Sequence, residues 1–309
     1  MKRIGVLIAA LALTLFAAAP VGAASPGSTN KVFHTLARYR AAAAAPNPQN
    51  LYFNGGPDGV QIKTQVYIVW WGAEWAQGFT TGGYSSRQAQ KYTTDFFSRV
   101  GGSRWIATDT QYCGNVPILT FDCTGVTGAR YITNPTGQLK GTWTDTTPVP
   151  AVLTDQIIAN EGLRAAAHFG YNINATYLVY TPTGKSEPGF NTVWCAWHNA
   201  ATDPSGRIVA YGYIPYQPDA GPNCGMNFVN AANDPYGHGY FDGFSIVAGH
   251  EYEEAQTDAN VGYGWTDAAG NENADKCAWD PRSANITLGR SYYAVQPVWS
   301  NKIGDCTIG

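Results

Sequence analysis

Six consecutive residues, Val66-Tyr67-Ile68-Val69-Trp70-Trp71, are β-branched or aromatic with no polar break. A strand of that composition has no face to offer water, so it belongs inside a sheet covered on both sides. Gly72 ends it. Covering such a sheet takes helices, and two periodic segments supply them. Ser86 to Val100 places Ala89, Tyr92, Phe96 and Val100 at three- and four-residue spacing before Gly101-Gly102 stops the run. Val152 to Phe169 carries Leu153, Ile157, Leu163 and Ala167 and is closed by Gly170. Tyr177 to Tyr180 and Ile208 to Tyr211 read as further buried strands. The expected fold is α/β, a mixed twisted sheet packed with helices, loop-rich and stapled by disulfides. Apart from the strand at 208–211, residues 182–233 read as a long loop region, rich in Pro, Gly, Asn and Asp.

The N-terminus sets the compartment. Lys2 and Arg3 precede an apolar run from Ile4 to Ala19, then the small residues Gly22, Ala23 and Ala24. That is the order of a secretory signal, with cleavage expected after Ala23 or Ala24. Residues 1–24 are therefore read as a signal peptide and 25–50 as a poorly ordered linker or short pro-segment with at most a short helix over Val32 to Ala45. Residues 51–309 are read as a single secreted domain. No later stretch is apolar enough to span a bilayer, so no membrane partner is expected after signal cleavage.

The six cysteines fit an oxidising compartment. Short loop closure favours the pairs 113–123, 195–224 and 277–306. No C-x-x-C pair is present, which argues against a thiolate zinc or redox site. The net charge is -3, with no basic cluster, so nucleic acid is not an expected partner. Aromatic residues make up 13%, as many as the charged ones, which predicts a large aromatic core.

The chemistry concentrates in Asp242 to Asp258, DGFSIVAGHEYEEAQTD, which reads as a helix with Asp242 as its N-cap. His250 and Glu254 then lie one turn apart on one face, with Glu251 beside them. This is H-E-x-x-E, the zincin-like H-E-x-x-H motif with a carboxylate in place of the second imidazole. His250 and Glu254 can reach one metal ion, and Glu251 can act as general base, taking a proton from water and returning it to a leaving amine. Zinc is the first expectation; so oxygen-rich a ligand set also suits calcium or manganese. Glu272 follows Glu254 with seventeen residues between them, and Asp275 comes three residues later. The separation resembles thermolysin-like and aminopeptidase-like zinc enzymes, in which a downstream glutamate completes the metal site and an aspartate a turn later supports the first histidine. By that likeness Glu272 is the third ligand and Asp275 orients His250, or the two exchange roles. Asp258 is a further candidate. His198 and His238 are candidates for oxyanion stabilisation or substrate binding. No G-x-S-x-G elbow supports a serine hydrolase, and no carboxylate spacing singles out a glycosidase pair.

Taken in order, several of these pieces resemble the exordium or phosphate-induced family of plant extracellular proteins and its bacterial secreted relatives. They are Tyr52-Phe53-Asn54-Gly55-Gly56, Gly101-Gly102-Ser103-Arg104-Trp105, Cys195 with His198, Cys224, His250-Glu251-x-x-Glu254, Trp265 and Glu272-Asn273-Ala274-Asp275-Lys276-Cys277. Tyr292-Tyr293-Ala294-Val295-Gln296 and Trp299-Ser300-Asn301 complete the set. The resemblance implies an extracellular protein built around an H-E-x-x-E helix; the segment from Gly262 to Gly270 looks shorter than in the plant pattern. Two functional expectations follow. One is a secreted metallopeptidase acting on protein or peptide. The other is a non-enzymatic binding protein for cell-wall glycan, using exposed aromatics of residues 182–233.

Overall fold

The computed structural model describes residues 30–33, 50–56 and 59–309, so the expected signal peptide and most of the expected linker lie outside the described residues. Its centre is a six-stranded sheet. In chain order the strands are β1 (Asn30–Phe33), β2 (Gln65–Trp71), β3 (Leu139–Asp145), β4 (Ala175–Tyr180), β5 (Trp194–Thr202) and β6 (Ile208–Ile214). Across the sheet they run β1-β5-β6-β4-β2-β3. β6, β4, β2 and β3 are parallel neighbours, and β5 pairs antiparallel with both β6 and β1, so the sheet is mixed.

Three long helices, α1 (Ser86–Val100), α2 (Asp155–Phe169) and α3 (Asp242–Thr257), cover it. Successive side chains of a strand point to opposite faces, and the core divides accordingly. Val66, Ile68 and Trp70 of β2 pack with α1 and α3, whereas Val69 and Trp71 pack with α2. The unbroken apolar run is thus an interior strand with helices on both faces. Most of the aromatic content goes into this core: Trp105, Trp194, Trp197, Tyr177, Tyr180, Tyr211 and Tyr213 are all fully buried or nearly so.

Helix α1 spans the residues expected and begins with a capping box between Ser85 and Gln88. α2 starts three residues later than the periodicity suggests, because Thr154 caps it, its hydroxyl accepting from the Ile157 amide at 3.4 Å. Asp242 is the first residue of α3 rather than its cap. Its carboxylate instead ties down the preceding loop, accepting from Asn230 N at 2.8 Å and Gly239 N at 2.9 Å. Two segments differ more. Residues 194–202 form β5, inside the stretch read as loop, and residues 30–33 form β1, inside the stretch read as unstructured linker. β1 owes its strand state to a partner far away in sequence, and β5 to the hairpin it forms with β6 across residues 203–207. β5 is held from Trp197 to Thr202 by β6 and at its start by the Cys195–Cys224 bridge.

The three disulfides are 113–123, 195–224 and 277–306, the pairs that short loop closure favours, and no cysteine is free. Two of them stand beside the chemistry. Cys195 lies three residues before His198, and Cys277 two residues after Asp275. A hairpin of β7 (Ala284–Leu288) and β8 (Ser291–Val295) packs on α3 and delivers Gln296 at its end. Three disulfides fit an extracellular protein. No helix among the described residues is long and apolar enough to cross a membrane.

Candidate metal and acid–base centre

All sixteen residues of α3 are buried. Two glycines allow that close packing. A Cβ on Gly249 would meet Trp105 Cη2 at 2.7 Å, so the helix can press against the aromatic core on that side. On the sheet side, a Cβ on Gly212 would meet Leu178 Cδ2 at 2.7 Å and come within 3.9 Å of Glu251 Cβ. Glu251 is thereby directed at the sheet, where His198 on β5 meets it.

Two imidazoles and four carboxylates converge in this space. His250 Nε2 lies 2.9 Å from Glu254 Oε1 and 3.6 Å from Asp275 Oδ1. Its other nitrogen, Nδ1, lies 3.0 Å from Gln296 Oε1. The amide of Gln296 can be oriented without ambiguity, because its Nε2 donates to the carbonyls of Ala274 at 2.9 Å and Pro297 at 3.3 Å. Oε1 is therefore the acceptor and His250 Nδ1 the donor, which leaves Nε2 facing Glu254 and Asp275, where it can hold a proton or an ion. That is the ring orientation a metal ligand needs, fixed from behind by a hydrogen bond. The peptide N–H of Asp275 donates to Glu254 Oε1 at 2.9 Å, which locks the two acidic ligand candidates together.

His198 is arranged differently. Its Nδ1 lies 3.2 Å from Glu251 Oε2 and 3.4 Å from Glu254 Oε2, and its Nε2 lies 3.4 Å from Glu272 Oε1 and 3.3 Å from the carbonyl of Asp258. Carboxylates approach both of its nitrogens, whereas at His250 they approach Nε2 alone; all neighbours of both rings are acceptors, so each ring is suited to carry a proton on both nitrogens. Burial opposes charge on each imidazole, yet Glu272 at His198 and Glu254 at His250 outweigh it and raise both well above the ordinary histidine value. Either ring position thus favours a positive charge, whether proton or metal ion. Burial also pushes the Glu251 carboxyl up, to about 7, with His198 pulling the other way. It pushes Glu254 up too, but the two imidazoles reverse the effect and hold that carboxyl down to about 2.

The structure therefore brings together His250, Glu254, Glu251, Glu272, Asp275 and His198. It assigns positions that the sequence left open. Asp275 approaches Nε2 of His250, Glu272 sits on His198, and the orienting contact to His250 Nδ1 comes from Gln296. Asp258 turns its carboxylate away, accepting from the amides of Gly262 at 2.7 Å, Tyr263 at 3.2 Å and Gly264 at 2.8 Å. His238 is elsewhere. Its Nδ1 contacts Asp234 Oδ2 at 2.6 Å, its Nε2 contacts the Tyr292 carbonyl at 2.8 Å, and its ring stacks on Tyr292. Both its nitrogens are engaged in holding the loop before α3 against the β7–β8 hairpin.

Sequence reading missed two parts of the centre. Gln296 is 46 residues from His250 and belongs to no local motif. Glu253 and Asp109 form a second buried acidic pair on another face of α3, where burial lifts Asp109 to about 7 and Glu253 well above its ordinary range. Asn273, lying between Glu272 and Asp275, donates to Asp109 Oδ1 at 2.8 Å and so fixes the loop that carries both.

The residues fit a divalent cation. Glu251 Oε1 is buried without a hydrogen-bond partner among the described residues, Glu254 Oε2 has only the 3.4 Å approach of His198 Nδ1, and neither Lys nor Arg pairs with the four carboxylates there. Among the described residues two groups have ligand atoms close enough to share an ion, His250 with Glu254 and Asp275, and His198 with Glu251 and Glu254. In the first, the far nitrogen of the imidazole is held by the Gln296 amide; in the second, by Glu272 and the Asp258 carbonyl. Comparison with protein-family models, with curated proteins and with solved structures gives no match.

Proposed function

We propose that this chain is a secreted, metal-dependent hydrolase acting on peptide bonds. The observation that carries the reading is the fixed orientation of His250, whose Nε2 faces Glu254 and Asp275 while Gln296 holds Nδ1 from behind. His250, Glu254 and Asp275 would hold the ion, with zinc first and manganese or calcium admitted by the two carboxylates. Bound there, the ion would supply Lewis-acid polarisation of a scissile carbonyl. The chain's own part is proton handling. Glu251 takes a proton from the attacking water and delivers it to the leaving amine. His198, between Glu251 and Glu272, positions the Glu251 carboxylate.

Export rests on the signal-like N-terminus and is supported by the three disulfides. The ordered likeness to exordium-type extracellular proteins supports the same location. The glycan-binding alternative has less support, because the aromatics of residues 182–233 are spent on the core. Trp194, Trp197, Tyr211, Tyr213 and Tyr216 are buried, and Phe228 is exposed to 38%.

The test is Glu251→Gln, which keeps shape and removes the base. Hydrolysis of a peptide library by the metal-loaded protein should fall by at least about a hundredfold, the usual share of a general base. Bound metal should be retained. Undiminished hydrolysis in this variant removes Glu251 from the reaction.

A further inference from the structure

The side chains of the centre are fully buried apart from Asp275, so an incoming substrate needs some covering element to give way. The sheet edge identifies one. β5 carries His198, and its outer edge is paired from Trp194 to His198 by the four-residue strand β1, with Trp194 also bridged to Phe190 in the preceding loop. The register sets Asn30 opposite His198, Lys31 opposite Trp197 and Phe33 opposite Trp194, with an irregularity between Lys31 and Phe33. β1 comes from the N-terminal side of the domain, outside the α/β unit that begins near Leu51. It is the shortest strand of the sheet and the one whose removal breaks no connection between other elements.

A strand edge bounded in this way is a site for strand addition. Main-chain N–H and C=O groups give affinity to any extended polypeptide that lies along it. Occupancy by a covalently attached segment is favoured by effective concentration rather than by contact quality. The irregular register shows that the pairing is imperfect even so.

We propose that the outer edge of β5 is the acceptor for an extended polypeptide substrate, and that Asn30–Phe33 is its internal occupant, which holds the edge closed in the intact chain. A substrate strand in place of β1 runs antiparallel to β5 with its backbone opposite His198, the residue that contacts Glu251, Glu254 and Glu272. The substrate class is then an unfolded or extended segment of protein, read through its main chain. The fate of the bound strand rests on the peptidase reading, while its binding rests on the sheet edge alone.

The full mature chain carrying Lys31→Pro and Phe33→Pro tests this, because proline removes amide donors from β1. A Lys31→Ala, Phe33→Ala chain keeps the donors and serves as the control. Amide hydrogen exchange is read at residues 195–198, since the Trp194 amide is held by the Gly189 carbonyl, with β2 and β4 as the folding reference. In the proline chain the β5 edge amides should exchange at least about tenfold faster than in the control, the loss of one or two main-chain hydrogen bonds. A synthetic peptide of residues 26–37, added in excess, should restore their protection. Parent-like protection in the proline chain, or no effect of the peptide at millimolar concentration, overturns the proposal. If the peptide restores protection but stays uncut in the metal-loaded protein, the acceptor edge stands and the peptidase reading falls. Should the double variant lose protection in β2 and β4 as well, Lys31→Pro alone is read by the same two criteria.

Discussion

Two acidic clusters lie on opposite faces of the central sheet, and they differ in where their positive charge comes from. On the α2 face, Asp145 and Glu161 are almost fully buried and share Arg164. The guanidinium contacts Asp145 and reaches Glu161 Oε2 at 3.2 Å, while half of its side chain stays in solvent. On the α3 face, Glu251, Glu254, Glu272 and Asp275 surround two imidazoles with no Lys or Arg in contact. The first cluster brings its own permanent cation and is a structural tie between β3 and α2. The second must acquire cations, as protons or as a metal ion, because buried carboxylates without a counter-charge are strongly unfavourable. The difference separates a stabilising cluster from a candidate reaction centre better than acidity does.

Removing the built-in cation should have the largest effect on stability. Arg164→Met leaves Asp145 and Glu161 facing each other and should cost about 3 kcal/mol in urea unfolding at pH 7, at the low end for a broken buried pair because Arg164 is half exposed. The variant should bind metal as the parent does. Loss of metal with Arg164→Met would break the distinction between the two clusters.

The next effect concerns the acquired cation. Gln296→Leu leaves His250 Nδ1–H without its acceptor and the Ala274 carbonyl without its donor. Metal affinity, measured by competition with a chromophoric chelator, should fall about 10- to 100-fold, the usual cost of removing such a supporting contact. Unchanged affinity would mean that the ion does not use His250 Nε2.

The smallest effect is a pH dependence on the α2 face. Burial, aided by the Asp145 charge, raises the Glu161 carboxyl from 4.5 to about 8. A raised acid binds its proton more tightly in the folded state, so this contribution is complete below pH 4.5 and is lost as the pH climbs through 8. Glu161→Gln removes that loss. Its stability relative to the parent should rise by about 1 kcal/mol between pH 5 and pH 8.5, well under the full linkage value because water reaches the partner Arg164. A variant whose relative stability is flat across that window contradicts the assignment.

Local pattern made part of this architecture legible in advance. Val66 to Trp71 declared an interior strand because no residue in it could face water. The α1 helix announced itself through its spacing and the Gly101-Gly102 stop, and the disulfides through their short loops. The His250–Glu251–Glu254 triplet was visible because an α-helix fixes which residues share a face. What was hidden was decided outside the periodicity of any one segment. β5 lacks a clean alternation, since Trp194 to His198 is buried on both faces and Asn199 to Thr202 is half-exposed. The exchange of places between Glu272 and Asp275 depends on how the loop at 272–275 is pinned by Asn273 to Asp109, 164 residues away. Gln296 was quoted as part of a resemblance, but its role needs the β7–β8 hairpin folded onto α3.

The central claim is that the α3 cluster holds a metal ion on His250, Glu254 and Asp275. The direct measurement is metal content of the full mature protein, purified without affinity metal, dialysed against zinc and analysed by mass spectrometry beside His250→Ala and Arg164→Met. The account predicts about one zinc per chain in the parent and in Arg164→Met, and none in His250→Ala, with affinity high enough to survive dialysis. A parent chain that retains no zinc, manganese or calcium, or a His250→Ala chain that retains as much as the parent, would contradict it.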